Sequence, residues 1–490
     1  MNSNLYEINT RVWLNNFNKG NNHATLDDVP EQYWEDLANK GFDYVWLMGI
    51  WKTNKSVVKK YCFEEGLVNS YSKALNDWKD EDVIGSPYSI SQYKINPDIG
   101  TKDELIKLKN LLNSLGIKLI LDFVPNHFSV HSSLIITDPY LFIEADEKNF
   151  SENTHLYFKS ELAANKIFAH GRDPFFPAWQ DTIQVNYFNE KARRFMINIL
   201  KNLTTLCDGV RCDMAMLNLN NVFNNTWGAI LNTKGYKKPE KEFWDLAIKE
   251  TKEIKPDFLF IGEAYWDLGW QLQQLGFDYT YDKTLLDRLK SGYVEEIRGH
   301  LSAEDDYQSK LVRFLENHDE ERAIKSLGIE KSKAAAVIFS TIKGMHLYYD
   351  GQLEGKKTKL PVQLGRDRKE KPNECISKFY TNLLEITKTD IFKKGDWKLL
   401  NSEPAWEGNF SYHNILIWRL TYLGRKRLVV VNYSDVVSQC RVKLQLDGYP
   451  EKFKLKDILN DKKYYRKTSS IITNGLFIEL GPYKSHIFSY

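Results

Sequence analysis

No run of about 18 consecutive apolar residues occurs anywhere in the sequence, so a membrane-spanning helix is not expected. Cysteine is scarce: the five residues (Cys62, Cys207, Cys212, Cys375, Cys440) are odd in number, scattered, and form no C-x-x-C pair. That pattern excludes a disulfide framework, a zinc ribbon and a dithiol redox centre, and leaves reduced structural thiols. Charge of one sign is also missing. Lys+Arg number 67 against Asp+Glu 65, a formal net charge of +2, and no block of like charge could track a phosphate backbone or an anionic membrane surface. Neither nucleic acid nor membrane is therefore an expected partner. There is no glycine-rich phosphate loop, internal repeat or low-complexity tract. The opening MNSNLYEINTRVWL has no basic segment followed by an apolar stretch and a small-residue cleavage site, so a cytoplasmic location is the expectation.

What the chain does have is enough apolar side chain, 42% of 490 residues, for sizeable cores, and an aromatic content of 13% with 13 Trp and 27 Tyr. Flat apolar rings suit the flat apolar faces of sugars. The length exceeds one ordinary domain and suits a large barrel of roughly 250 residues or more with added modules. Up to about residue 390, eight β-rich runs alternate with helical stretches: 6–14, 42–50, 117–123, 208–212, 258–262, 277–282, 311–317 and 345–350. In the intervening 102–115, Leu105, Leu108, Leu112 and Leu115 share one helical face, and Gly116 stops the helix. This alternation predicts an α/β protein built on a (β/α)8 TIM barrel.

The connection after the third strand, 128–188, is far too long for an ordinary loop and predicts a subdomain beside the barrel mouth, with 171–179 (GRDPFFPAW) as an irregular aromatic segment. Beyond about 391 the pattern becomes short alternating strands (HNILIWRL, RLVVVNYS, CRVKLQL, LFIEL), which predicts a C-terminal antiparallel β-sandwich. The expected organisation is thus a catalytic barrel from 1–127 and 189–390, an insertion over 128–188 and a β-domain over 391–490.

Four strand candidates end in an acid: Asp122 in LILDFVPNH, Asp213 in GVRCDMA, Glu263 in FIGEAYW and Asp319 in FLENHDE. One acid at a strand end is ordinarily a cap or a salt-bridge partner, but four around one rim point to chemistry, because barrel active sites lie at the C-terminal strand edge. Cleaving a glycosidic bond needs two such groups, one carboxylate at the anomeric carbon and one acid at the leaving oxygen. Strand alternation sends Arg211 and Asp213 to one side, so the guanidinium should keep Asp213 ionised. Glu263 has no cation beside it in sequence, and neighbouring negative charge should raise its pKa.

These motifs resemble, in order, the four conserved stretches of the α-amylase superfamily, glycoside hydrolase family thirteen: DFVPNH (122–127), GVRCD (209–213), GEAYW (262–266) and ENHDE (316–320). The resemblance spans about residues 6–390. It implies Asp213 as nucleophile, Glu263 as acid/base and Asp319 as a third carboxylate that binds sugar hydroxyls. It also implies that Asp122, Arg211, His127 and His318 line the sugar subsite, and that Tyr88, in SPYSISQY, stacks under the ring. Asn126–His127 and His318–Asp319 lack zinc-site spacing, and no metal or other cofactor is required by this reading. Asn126 matches a family calcium ligand, which leaves calcium open. Met216 and Leu217 stand where starch-cutting relatives often carry lysine and histidine, so the leaving-group side departs from the pattern.

The implied activity is a retaining α-glycoside hydrolase acting on an oligosaccharide or α-glucan. The alternatives are a glucanotransferase with a sugar acceptor, a non-catalytic carbohydrate-binding relative, which the presence of all three acids opposes, and a metal-dependent hydrolase.

Overall fold

A computed structural model describes every residue except Met1, Asn21 and Asp447. Eight strands close into a parallel barrel: β1 (Ser3–Asn9), β2 (Tyr44–Met48), β3 (Lys118–Phe123), β4 (Gly209–Cys212), β5 (Leu259–Gly262), β6 (Tyr279–Tyr281), β7 (Leu311–Arg313) and β8 (Met345–Tyr349), with β8 pairing back onto β1. All eight lie inside or overlap the runs read from sequence. Alternation divides their side chains between two cores. Leu5, Trp46, Ile120, Ile261, Val312 and Leu347 fill the barrel interior, while Ile8, Leu47, Leu121, Val210 and Phe260 meet the surrounding helices.

Helix 102–114 shows how the outer layer forms. Thr101 caps it by accepting from the Glu104 amide at 3.2 Å, Leu105, Leu108 and Leu112 are buried, and Gly116 follows at φ +79°, a conformation open to glycine.

Two strand ends differ from expectation. β1 stops at Asn9, and residues 10–13 form one helical turn. The wall fixes this limit: Asn9 is the last residue of β1 in register with β2, opposite Met48. Beyond it, Arg11 turns to donate to the carbonyls of Gly85 (2.9 Å) and Val362 (2.6 Å). β7 ends at Arg313, so the ENHDE segment is an irregular loop crossing the mouth instead of a strand terminus. Its turn is built by Asn317 Oδ1, which accepts from the Asp319 and Glu320 amides, both at 2.9 Å.

After β3 the chain forms small antiparallel pieces: His127–Ser129 pairs with Thr182–Gln184, and three short strands (144–145, 157–159, 167–169) make a second sheet. After the barrel come β9 (Asp396–Leu400), β10 (Ile415–Tyr422), β11 (Arg425–Asn432), β12 (Ser438–Val442), β13 (Lys452–Asp457), β14 (Lys462–Lys467), β15 (Leu476–Leu480) and β16 (Ser485–Ser489). Six form an antiparallel sheet in the order β9-β10-β11-β16-β13-β14, and β12 with β15 forms a ribbon. Ile415, Ile417, Leu428 and Val430 pack on Cys440 and Ile478 of the ribbon, whereas the alternate residues Leu416, Trp418, Val429 and Val431 join the barrel-side core. The central strands β10 and β11 are thus buried on both faces, while β13 and β14 leave one face open.

Where β4 meets β5 the wall is tight. A Cβ on Gly209 would stand 2.6 Å from the Leu259 carbonyl oxygen, a backbone atom with no rotamer to adjust. Gly209→Val is expected to cost about 1–3 kcal/mol, measured as a lowered Tm in thermal unfolding. An unchanged Tm would show that the two strands have room to part.

Candidate active site

Register brings the acids together. Arg211 is the Cα partner of Asp122 on β3 and of Ile261 on β5, and Cys212 is the partner of Gly262. Asp213 and Glu263 therefore leave adjacent strands side by side at the C-terminal edge. The alignment continues past the strand ends: the Asp213 amide donates to Phe123 O (2.8 Å), the Glu263 amide to Cys212 O (3.1 Å) and the Ala215 amide to Glu263 O (3.1 Å).

A single guanidinium joins the two acids. Arg211 Nη1 lies 2.6 Å from Asp213 Oδ1 and Nη2 lies 2.9 Å from Glu263 Oε2. Arg211 is 1% exposed, and aromatic rings enclose it, with the Trp46, Tyr88 and Tyr281 centroids at 5.1, 5.4 and 5.6 Å. Faces of this kind hold a desolvated cation well. Its Nε donates to Tyr281 Oη at 3.3 Å.

Glu263 accepts from the Met214 amide (2.6 Å) at Oε2 and from Tyr265 Oη (2.9 Å) at Oε1. Met214 adopts φ +44°, an uncommon conformation for a residue with a side chain, in the turn that follows Asp213. Burial pushes the Glu263 pKa up to about 7; Arg211 opposes the rise, and Asp213 and Asp319 add to it. The expectation from sequence was a glutamate with no cation near it. Arg211 is in fact in contact with it, and desolvation is the chief cause of the raised pKa.

Asp319 lies at the mouth with 46% of its side chain exposed. Crowding by the rim opposes its ionisation, but His318, whose Nε2 is 3.0 Å from Asp319 Oδ2, outweighs this and holds the carboxyl well below the ordinary range. His318 Nε2 also lies 2.8 Å from Tyr88 Oη, and its Nδ1 lies 2.5 Å from Glu7 Oε1. The buried ring of His127 packs 5.1 Å from that of Trp179 in the inserted segment, and burial lowers its pKa.

Asp122 does not present its carboxylate to the cleft. Oδ1 accepts from Trp46 Nε1 (3.1 Å) and Oδ2 from the Gly49 amide (2.8 Å). Gly49 sits at φ +78° to aim that amide. The residue expected beside the sugar has both carboxylate oxygens engaged by donors from the neighbouring strand and its loop, and so ties β2 to β3.

Asn126 is committed in the same way. Its Oδ1 accepts from Gln184 Nε2 (3.0 Å), and its amide donates back to Gln184 Oε1 (3.3 Å). Among the described residues no three of His, Cys, Asp and Glu cluster as a ligand set.

Four contributors escaped the sequence reading: Tyr281, Tyr265, the Met214 amide and Glu7. Only Glu7 left a trace there, as a charge inside the otherwise uncharged strand LYEIN. A cavity of about 470 Å3 touches Met214, Tyr265, Tyr281, Trp266 and Phe176, and so adjoins the outer side of Glu263. A larger one, about 780 Å3, opens near Asn9, Trp13, Arg322 and Tyr349; neither cavity is lined by the three acids themselves, but the smaller is lined by the two residues that donate to Glu263. Size alone would have pointed away from the chemistry. Over the smaller cavity, Phe175 and Trp266 meet edge to face at 4.8 Å, Phe175 being well exposed.

Residues 32–390 match the family described as the α-amylase catalytic domain. Among curated proteins, the chain is 26% identical to the α-amylase MalA of Haloarcula japonica over 55% of its own length and 36% of the relative's. It is 25% identical to α-amylase 2 of Dictyoglomus thermophilum over 62% and 52%, and 26% identical to a cyclomaltodextrin glucanotransferase of a Bacillus species over 53% and 36%. The chain thus spans about half or less of these relatives. Among solved structures, the maltogenic α-amylase AmyB of Thermotoga neapolitana superposes with a TM-score of 0.68 at 22% identity, covering 100% of this chain and 98% of that one. An α-amylase from Lactobacillus plantarum gives 0.66 at 19%, covering 100% and 98%.

A group that must be protonated to act, with its pKa near 7, sets an alkaline limit. If Glu263 donates the proton, kcat/KM on an unactivated substrate falls as pH rises through about 7, and Glu263→Gln abolishes that limb. A limb that survives the substitution would assign the proton to another group.

Proposed function

The chain belongs to the α-amylase catalytic-domain family, and on that premise we propose that it is a retaining α-glycoside hydrolase acting on α-glucans or their oligosaccharides. The observation that carries the reading is the shared guanidinium. Asp213 and Glu263 both touch one Arg211 guanidinium, and two acids held that close together support double displacement, which uses carboxyl groups roughly 5–5.5 Å apart, over the wider spacing that admits an attacking water.

In this mechanism Glu263 delivers its proton to the glycosidic oxygen as the C–O bond breaks, and Asp213 forms a glycosyl ester at the anomeric carbon. Glu263, now a carboxylate, takes a proton from water as the water cleaves the ester, and both groups return to their starting states with configuration retained. Burial keeps Glu263 a usable acid, and the ion pair with Arg211 keeps Asp213 oriented. Asp319, open to the mouth, is suited to accept from sugar hydroxyls, and Tyr88 to lie beneath the ring. A reducing compartment such as the cytoplasm fits the five unpaired cysteines. No helix among the described residues is long and apolar enough to cross a membrane.

Transfer to a sugar acceptor is a second reading, favoured by the exposed Phe175–Trp266 pair above the cavity beside Glu263. An apolar platform there gives a second sugar a surface that water cannot exploit.

Asp213→Asn is expected to lower kcat by about 10^4-fold or more, the scale seen when a nucleophilic group is removed, with oligosaccharide binding retained in calorimetry. Wild-type turnover in that variant would sink the assignment. Glu263→Gln should spare aryl glycosides with good leaving groups far more than maltooligosaccharides, since the former need little protonation. Equal losses would remove Glu263 from the acid role. NMR of the first-formed product from maltooligosaccharides tests retention through its α-anomer, and the ratio of transfer product to free sugar separates the two readings.

A further inference from the structure

Glu7 is a carboxylate on a barrel strand, 0% exposed, with Oε2 lacking any hydrogen-bond partner among the described residues. Its Oε1 is engaged by His318 alone, at 2.5 Å from Nδ1 and 3.4 Å from the backbone amide. On the opposite edge of the same ring, Nε2 faces Asp319 Oδ2 at 3.0 Å and Tyr88 Oη at 2.8 Å. One imidazole therefore has a carboxylate at each nitrogen. Neutral histidine carries a single N–H and would set a lone pair against one of those carboxylates, whereas the imidazolium donates to both.

We propose that Glu7 is a positioning residue for the sugar site: from the inner wall of β1 it fixes His318 as an imidazolium, so that the site offers the substrate a constant second cation beside Arg211. The charged and titratable groups around the ring are Glu7 from β1, Tyr88 after β2, Asp122 from β3, Arg211 from β4 and Asp319 in its own loop, where Lys359 donates to the Asp319 carbonyl. The Trp46 ring, 5.5 Å away, closes one side and keeps water out. In agreement, the His318 pKa is pushed up to about 10: burial works against the charge, and Asp319 and Glu7 overcome it. The sign follows. A histidine whose folded pKa is raised stays charged below that value, and removing Glu7's charge brings the loss of the proton to lower pH.

Glu7→Gln tests this, because an amide oxygen can still accept from Nδ1 while one negative charge disappears. The first readout is the 15N spectrum of the histidine rings, with His318 identified by the resonance lost in His318→Gln. In the wild type the ring should remain doubly protonated through pH 8, and in Glu7→Gln its midpoint should fall by about one to three units. The second readout is kcat/KM on a maltooligosaccharide. Relative to wild type, the variant should lose more at pH 8 than at pH 5.5, by up to about tenfold when the midpoint falls by the full three units, whereas a merely structural role gives a loss independent of pH. A wild-type ring already neutral at pH 7, or an unshifted midpoint in Glu7→Gln, would overturn the proposal. If the variant does not fold, the wild-type titration alone decides. Only the kinetic arm rests on the proposed activity, so failure of that activity with a shifted ring midpoint would leave the role of Glu7 standing.

Discussion

The arrangement turns on one buried cluster: the Arg211 guanidinium held between Asp213 and Glu263. Desolvating the Arg211–Asp213 pair beside a third ionisable group is costly, and removing one partner of such a buried pair typically costs about 3–5 kcal/mol. The surroundings answer that cost. Aromatic faces of Trp46, Tyr88 and Tyr281 enclose the cation, and the Met214 amide and the Tyr265 hydroxyl satisfy Glu263.

The same triad gives two carboxyl groups different tasks. Arg211 contacts both, yet burial makes Glu263 the group that keeps a proton near neutrality, while Asp319 is pulled the other way by His318. On the proposed mechanism, nucleophile, acid and hydroxyl-binding carboxylate are distinguished by depth and by neighbours, with no difference in chemistry beyond one methylene. His318 extends this ordering to the far side of the mouth, where its own state depends on the two carboxylates it bridges.

Around the triad the barrel acts as a ruler. Register between β3, β4 and β5 sets Asp122, Arg211 and Ile261 level, and the close approach at Gly209 keeps that register tight. Asp122 shows what the ruler costs in sequence: an acid at the rim is committed to Trp46 and Gly49 to hold β2 against β3. The inserted segment and the loop after β5 bring aromatic rings over the outer cavity.

The chain's linear pattern was enough to specify eight strands, the helical layer, the insertion, the β-rich tail and the three rim acids, because alternation, helical spacing and strand-end polarity are local properties. The short reach of β1 and β7 was not legible, since pairing partners far along the chain decide where a strand must stop. Nor was the side-chain traffic: that Asp122 and Asn126 are used up by neighbours, that Tyr281 and Glu7 face the site, and that Arg211 touches Glu263. Those facts belong to tertiary structure, because the energy of a charge is set by whatever lies within a few ångströms of it, and those neighbours come from all around the barrel.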